Sequence, residues 1–114
     1  MILEPKLVVT NTADCTSTGD KASYTVPAGV HAEVIGFGGQ EVDGGASGAT
    51  VALLLTPNGG TAITIATETA TDVLQTGGER IALGPGDKIE WNCTIAADPA
   101  TWHLWISLLI YVAA

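Results

Sequence analysis

"IALGPGDKIEW", Ile81–Trp91, reads as strand, hard turn, strand. Pro85 fixes φ near the value required at the second position of a tight turn, and Gly86 supplies the positive φ of the third. Beyond the turn the chain alternates. Ile89, Trp91, Cys93 and Ile95 point one way; Lys88, Glu90, Asn92 and Thr94 point the other. That alternation describes a strand with one buried face and one wet face. "YTVPAGVHAEV", Tyr24–Val34, repeats the construction with Pro27 and Gly29 at its corner. Two such corners are expected where a chain turns sharply at an end of a two-sheet sandwich.

Working outward, the same pattern fills the chain. Thr, Val and Ile dominate, and they suit a pleated surface. Apolar residues do not recur at the three- and four-residue spacing of a helix. Gly and Pro cut the sequence at short intervals, as in all-β sandwiches and barrels. Strands are predicted at Lys6–Thr10, Ala22–Val26, His31–Gly38, Ala49–Thr56, Ala62–Thr67, Asp72–Gln75, Arg80–Leu83, Lys88–Ile95 and Trp102–Val112. "TPNGGT", Thr56–Thr61, is a hairpin turn, because Asn and Gly accept positive φ. "DGGASGA", Asp43–Ala49, reads as a loop, and so does the polar "NTADCTSTGDK", Asn11–Lys21. The expectation is one all-β domain over residues 1–114: an antiparallel β-sandwich or jelly-roll of about eight to nine strands, with residues 1–5 as a possible N-terminal arm.

The segment "TWHLWISLLIYVAA" at Thr101–Ala114 breaks the one-wet-face rule. Trp102, Leu104, Ile106, Leu108, Ile110 and Val112 share one face. His103, Trp105, Ser107, Leu109 and Tyr111 share the other, which is also largely apolar. A small sandwich has one interior, so the second face needs cover, either from a second copy or from the N-terminal loop packed across it. Leu54, between Leu53 and Leu55, poses the same problem. Exposed apolar patches mark interaction surfaces and aromatic residues are enriched there. Trp105, Leu109, Tyr111 and Leu54 are therefore the candidate self-association residues. Met1, Ile2 and Leu3 put apolar side chains at an end that is loose unless tied down. They are candidates for an arm that docks on a neighbour, against the alternative of a frayed end.

Charge limits the partners. Apolar residues make up 46% of the chain and charged residues only 14%, with a formal charge of −8. Nucleic-acid binding needs clustered cations to displace counterions, and Lys6, Lys21, Arg80 and Lys88 form no run. Anionic membranes would repel the chain for the same reason. No nucleic-acid or membrane partner is expected, whereas a basic protein surface would suit it. "MILEPKLVV" has no basic stretch followed by a long apolar run, so synthesis in the cytoplasm is expected. There, Cys15 and Cys93 are expected as buried thiols rather than a disulfide.

No constellation for catalysis or cofactor binding emerges. His31 and His103 lack the paired spacing of a zinc site. Cys15, His31 and Asp72 make a nucleophilic triad only on paper. Asp14, Asp43 and Asp72 lack the dense oxygen pattern of a calcium loop. "GFGGQE", Gly36–Glu41, lacks the third glycine and the helix of a dinucleotide fingerprint. Catalytic, metal and cofactor residues are all expected to be none.

With strands and corners placed, two resemblances stand out. "ALGPGDKIEW" resembles the Pro-Gly-Asp corner of cupin jelly-rolls, but the matching "AGVHAEVIGF" offers His31 and Glu33 with no second His, so cupin metal chemistry does not carry over. From Tyr24 onward, "YTVPAGVHAEV", "TPNGGT", "IALGPGDKIEW" and the long apolar last strand resemble small β-sandwich structural proteins of tailed bacteriophages. That resemblance implies a non-enzymatic capsid decoration, or cement, protein on the virion surface. It implies a homo-oligomer, with a trimer favoured, that binds the major capsid protein and stabilises the shell. The alternative is a carbohydrate- or receptor-binding sandwich of a phage tail or fibre, for which Trp91, Trp102 and Trp105 are the available stacking residues.

Overall fold

A computed structural model describes residues 2–42, 48–69 and 80–112. The described residues contain eight strands and no helix: β1 (Ile2–Asp14), β2 (Gly19–Thr25), β3 (Val30–Glu41), β4 (Thr50–Thr56), β5 (Ile63–Thr69), β6 (Ile81–Leu83), β7 (Lys88–Ile95) and β8 (Thr101–Val112). Sheet A has the order β1-β8-β3-β6 and sheet B the order β2-β7-β4-β5; all pairings are antiparallel. Only β4 and β5 are joined within one sheet. Every other connection crosses from one sheet to the other. This interleaved order is that of a jelly-roll sandwich, in agreement with the all-β expectation. The predicted strand at Asp72–Gln75 lies outside the described residues, as do Asp43 and Met1.

The core lies where the inner faces meet. On β8 every second residue from Trp102 to Ile110 is buried, and sheet B answers with Val51, Leu53, Ile89, Trp91 and Cys93. Phe37 meets Trp91 edge-on, with ring centroids 6.0 Å apart, a favoured aromatic geometry. The Trp91 indole N–H crosses the core and donates to the backbone carbonyl of Trp105 at 3.0 Å. A register shift between Val34 and Gly36 keeps β3 in phase with the core. It lets both Val34 and Phe37 face inward, an extra residue apart from strict alternation.

Two local expectations need correction. The segment Asn11–Lys21 is not a single surface loop: β1 runs on to Asp14, with a register shift between Thr10 and Ala13, and β2 starts at Gly19. β1 is an edge strand, and an edge tolerates polar residues that would be costly in a strand buried on both sides. Ile95 does not continue the buried face of Ile89, Trp91 and Cys93; it is 57% exposed. The register between β4 and β7 slips between Thr50 and Val51, opposite this point, and a slip of one residue exchanges the faces.

Three connections gather at one end of the sandwich. In the β6–β7 turn the Asp87 N–H donates to Gly84 O at 3.1 Å, with Gly86 at φ +85°, as the Gly-Pro-Gly-Asp sequence requires. Val26, in the β2–β3 corner, donates its N–H to Asp87 O at 2.9 Å and accepts the Gly86 N–H at 2.8 Å. The Asp87 carboxylate then joins a third turn: Oδ2 accepts the Gly84 N–H and Oδ1 the Asn58 N–H of the β4–β5 hairpin, both at 2.8 Å. A Cβ on Gly86 would come within 2.5 Å of the Asn58 side chain. The Pro-Gly corners recur because they interlock.

Candidate interaction face

The outer face of sheet A is built by register. Tyr111, Leu109 and Ser107 of β8 stand opposite Leu3, Pro5 and Leu7 of β1 on one side. On the other side they stand opposite His31, Glu33 and Gly36 of β3. Leu3 and Leu7 are 54% and 63% exposed. Trp105, Leu109 and Tyr111 are half-buried among these neighbours. The result is a broad apolar surface on the outside of the sandwich, centred on β8.

Trp105 owes its position to a glycine. A Cβ on Gly38, its cross-strand partner, would sit 2.4 Å from the indole ring. The ring therefore packs directly against the β3 backbone at Gly38, and only glycine leaves room for it. Gly39 does the same on the inner face, where a Cβ would approach Leu104 to 3.0 Å. The consecutive glycines of "GFGGQ" let β8 carry bulky side chains over both faces of β3. This was the functional content of the motif that a nucleotide fingerprint could not supply.

A polar margin closes the β3 side. Arg80 forms an ion pair with Glu33, and the Tyr111 hydroxyl donates to Glu33 Oε2 at 3.4 Å. The charges on this margin neutralise one another and leave the apolar centre free of an unpaired carboxylate. On the β1 side, Lys6 turns under the sheet and places Nζ 5.5 Å from the centroid of the Tyr24 ring. Burial pushes the Tyr24 phenol above its usual range. An inward-turned charge and a proline, here Lys6 and Pro5, are recognised devices that discourage strand addition at a sheet edge. The face of sheet A is thus better prepared for contact than its β1 edge.

Leu54 lies elsewhere. It stands opposite Glu90 on the outer face of sheet B, so the four proposed association residues divide between two opposite faces. Around it the surface is polar. Lys88 Nζ contacts Asp20 Oδ2 at 2.9 Å and Glu90 Oε1 at 3.7 Å, and Asn92 donates to Glu90 Oε2 at 3.1 Å. The hydrogen bond that Lys88 donates to Asp20, with Glu90 nearby, holds the Lys88 ammonium above its usual range. Of the proposed arm, Ile2 and Leu3 belong to β1, paired with Val112 and Tyr111. Leu3 joins the apolar face through that pairing.

Among the described residues no three His, Cys, Asp or Glu side chains converge as metal ligands. No described helix is long and apolar enough to cross a membrane. No protein-family model matches the chain, and a search of curated proteins finds no match either.

Proposed function

We propose that this protein is a non-catalytic structural component of a virion, a capsid decoration protein that assembles with copies of itself through the outer face of sheet A. The observation that carries the reading is the apolar surface formed by Leu3, Leu7, Trp105, Leu109 and Tyr111 on an otherwise acidic, Thr- and Gly-rich molecule. Contiguous apolar surface of this kind marks a contact site. A closed ring of copies, such as a trimer, would cover it without growing into a fibre. The jelly-roll order adds support by analogy, since it recurs in viral capsid domains. The formal charge of −8 would speed encounter with a basic surface on the major capsid protein. Ile2 and Leu3, at the outer end of β1, are the described members of the proposed docking segment.

The carbohydrate-binding alternative draws less support. Trp91 and Trp102 are fully buried, and a buried indole has no face to offer a sugar. Trp105 alone remains, with one side of its ring on Gly38.

Sedimentation equilibrium of the purified chain tests self-association, and cosedimentation with empty capsid shells tests the decoration role. An oligomer that binds shells at fixed stoichiometry is expected. A strict monomer at micromolar concentration overturns the assembly reading. An oligomer that ignores shells but binds a glycan through Trp105 transfers the protein to the tail-fibre class.

A further inference from the structure

Cys15 and Cys93 are 78 positions apart in sequence yet meet in the core. Both carry free thiols and both are fully buried. Cys15 follows the last residue of β1, where its N–H donates to Ala100 O at 2.9 Å and its carbonyl accepts the Ala97 N–H at 3.1 Å. Cys93 comes from the inner face of β7. Its thiol donates to the Cys15 backbone carbonyl at 3.7 Å and to Ile95 O at 3.5 Å, which places Cys93 Sγ directly against the Cys15 residue. One thiol leaves sheet A and the other belongs to sheet B. Both lie in the core at the end opposite the Asp87 corners.

This pair has few chemical uses. Metal binding lacks further ligands among the described residues. Nucleophilic attack on an outside substrate is blocked by burial, which pushes the Cys15 thiol up to about 12. What the placement does favour is a bond between the two sulfurs. We propose that Cys15 and Cys93 form an intrachain disulfide cross-linking the two sheets when the chain folds, or its Cys15–Thr18 segment opens, in the presence of a small-molecule disulfide such as oxidised glutathione.

The step balances by thiol–disulfide exchange. One cysteine thiolate attacks a glutathione sulfur, breaks the glutathione S–S bond and releases one glutathione thiol. The second cysteine thiolate then attacks the cysteine sulfur of the mixed disulfide, forms the Cys15–Cys93 bond and releases the other glutathione as its thiol. The protein loses two electrons and two protons; one glutathione disulfide becomes two glutathiones. Because folding buries both sulfurs, the reduced native protein resists oxidation and the oxidised native protein resists reductant. The redox state therefore changes only when the chain folds or when the Cys15–Thr18 segment opens.

The full chain is unfolded in urea, refolded with either oxidised or reduced glutathione, and analysed by mass spectrometry after alkylation under denaturing conditions. The oxidised sample is expected to lose about 2 Da and take up no alkyl group. Its Tm is expected to exceed that of the reduced sample by about 10 °C, because the cross-link restricts a long loop in the unfolded chain. Cys15→Ala and Cys93→Ser should each abolish the oxidant-dependent shift. Two alkylated thiols after oxidative refolding, glutathione retained on the chain, cross-links only between chains, or a shift that survives in both single-cysteine variants would each overturn the proposal.

Discussion

The outer faces of the two sheets come from antiparallel strands with the same alternation, yet they are opposites. Sheet B turns Asp20, Ser23, Thr25, Lys88 and Asn92 outward and ties several of them through Lys88 and Glu90. Sheet A turns Leu3, Leu7, Trp105, Leu109 and Tyr111 outward. A polar outer face is the ordinary answer for a sandwich whose only apolar interior lies between its sheets. An apolar outer face is a departure that costs solubility, and it is the face through which we propose that copies of the chain associate. The contrast also shows why apolar content by itself misleads. Leu54 sits among the polar residues of sheet B, a scattered apolar side chain of the kind that needs no explanation.

The largest effect should come from Gly38, which holds the apolar face in shape. Gly38→Val drives Cβ into the Trp105 indole and should cost roughly 2–3 kcal/mol of stability in urea denaturation. Adding Trp105→Ala should recover much of that loss. Equal stability for wild type and Gly38→Val would mean that the indole does not rest there. Next, Leu7→Glu and Thr25→Glu add the same charge to opposite faces. Leu7→Glu should weaken self-association by about 30-fold or more, the scale of a 2 kcal/mol interface loss. Thr25→Glu should leave it within about threefold. Equal effects in sedimentation equilibrium would erase the distinction between the faces.

Asp87 belongs to neither face and sharpens the comparison as a control. Asp87→Asn should lower stability by about 1–2 kcal/mol through weaker acceptance of two backbone N–H groups, without altering association. The Asn58 and Gly84 amides hold the Asp87 carboxyl below its usual range. A carboxyl whose folded pKa is depressed adds stability above its unfolded pKa, and that stability is lost as pH falls through the folded value. Thermal melts from neutral to acid pH should therefore fall less steeply in Asp87→Asn than in wild type. The smallest effect is expected from Asp20→Asn on sheet B, below about 1 kcal/mol, as for other partly exposed ion pairs. The folded Lys88 pKa is raised, so this contribution is present at neutral pH and disappears as pH rises through the lysine range. Added salt should shrink it as well.

Much of the fold was legible because local chemistry and global architecture agree. Pro27, Pro57 and Pro85 with their neighbouring glycines mark the turns. The two apolar sets of β8 separate into inner and outer faces as the period of two requires. What escaped was set by pairing. The end of β1 is held as strand past its polar Asn11 and Thr12 because β8 offers Trp102 and Thr101 as partners to Ala13 and Asp14. Ile95 turns outward because Thr94 is an extra residue in β7, between Cys93 opposite Val51 and Ile95 opposite Thr50. No periodicity could assign Leu54 and Trp105 to different sheets, since alternation orders residues within a strand but not the strands among themselves. The role of Gly38 was likewise invisible until Trp105 lay across it.

The arrangement of sheet A also bears on biosynthesis. Its central strand is β8, the last of the eight, and β1 and β3 meet only through it. Translation therefore delivers β1 first and leaves it without its hydrogen-bonding partner until β8 clears the ribosomal tunnel. Sheet B has its own partners ready as soon as β7 emerges. A nascent chain would thus hold one sheet closed and the other open, with the unpaired backbone of β1 accessible to chaperones throughout that interval.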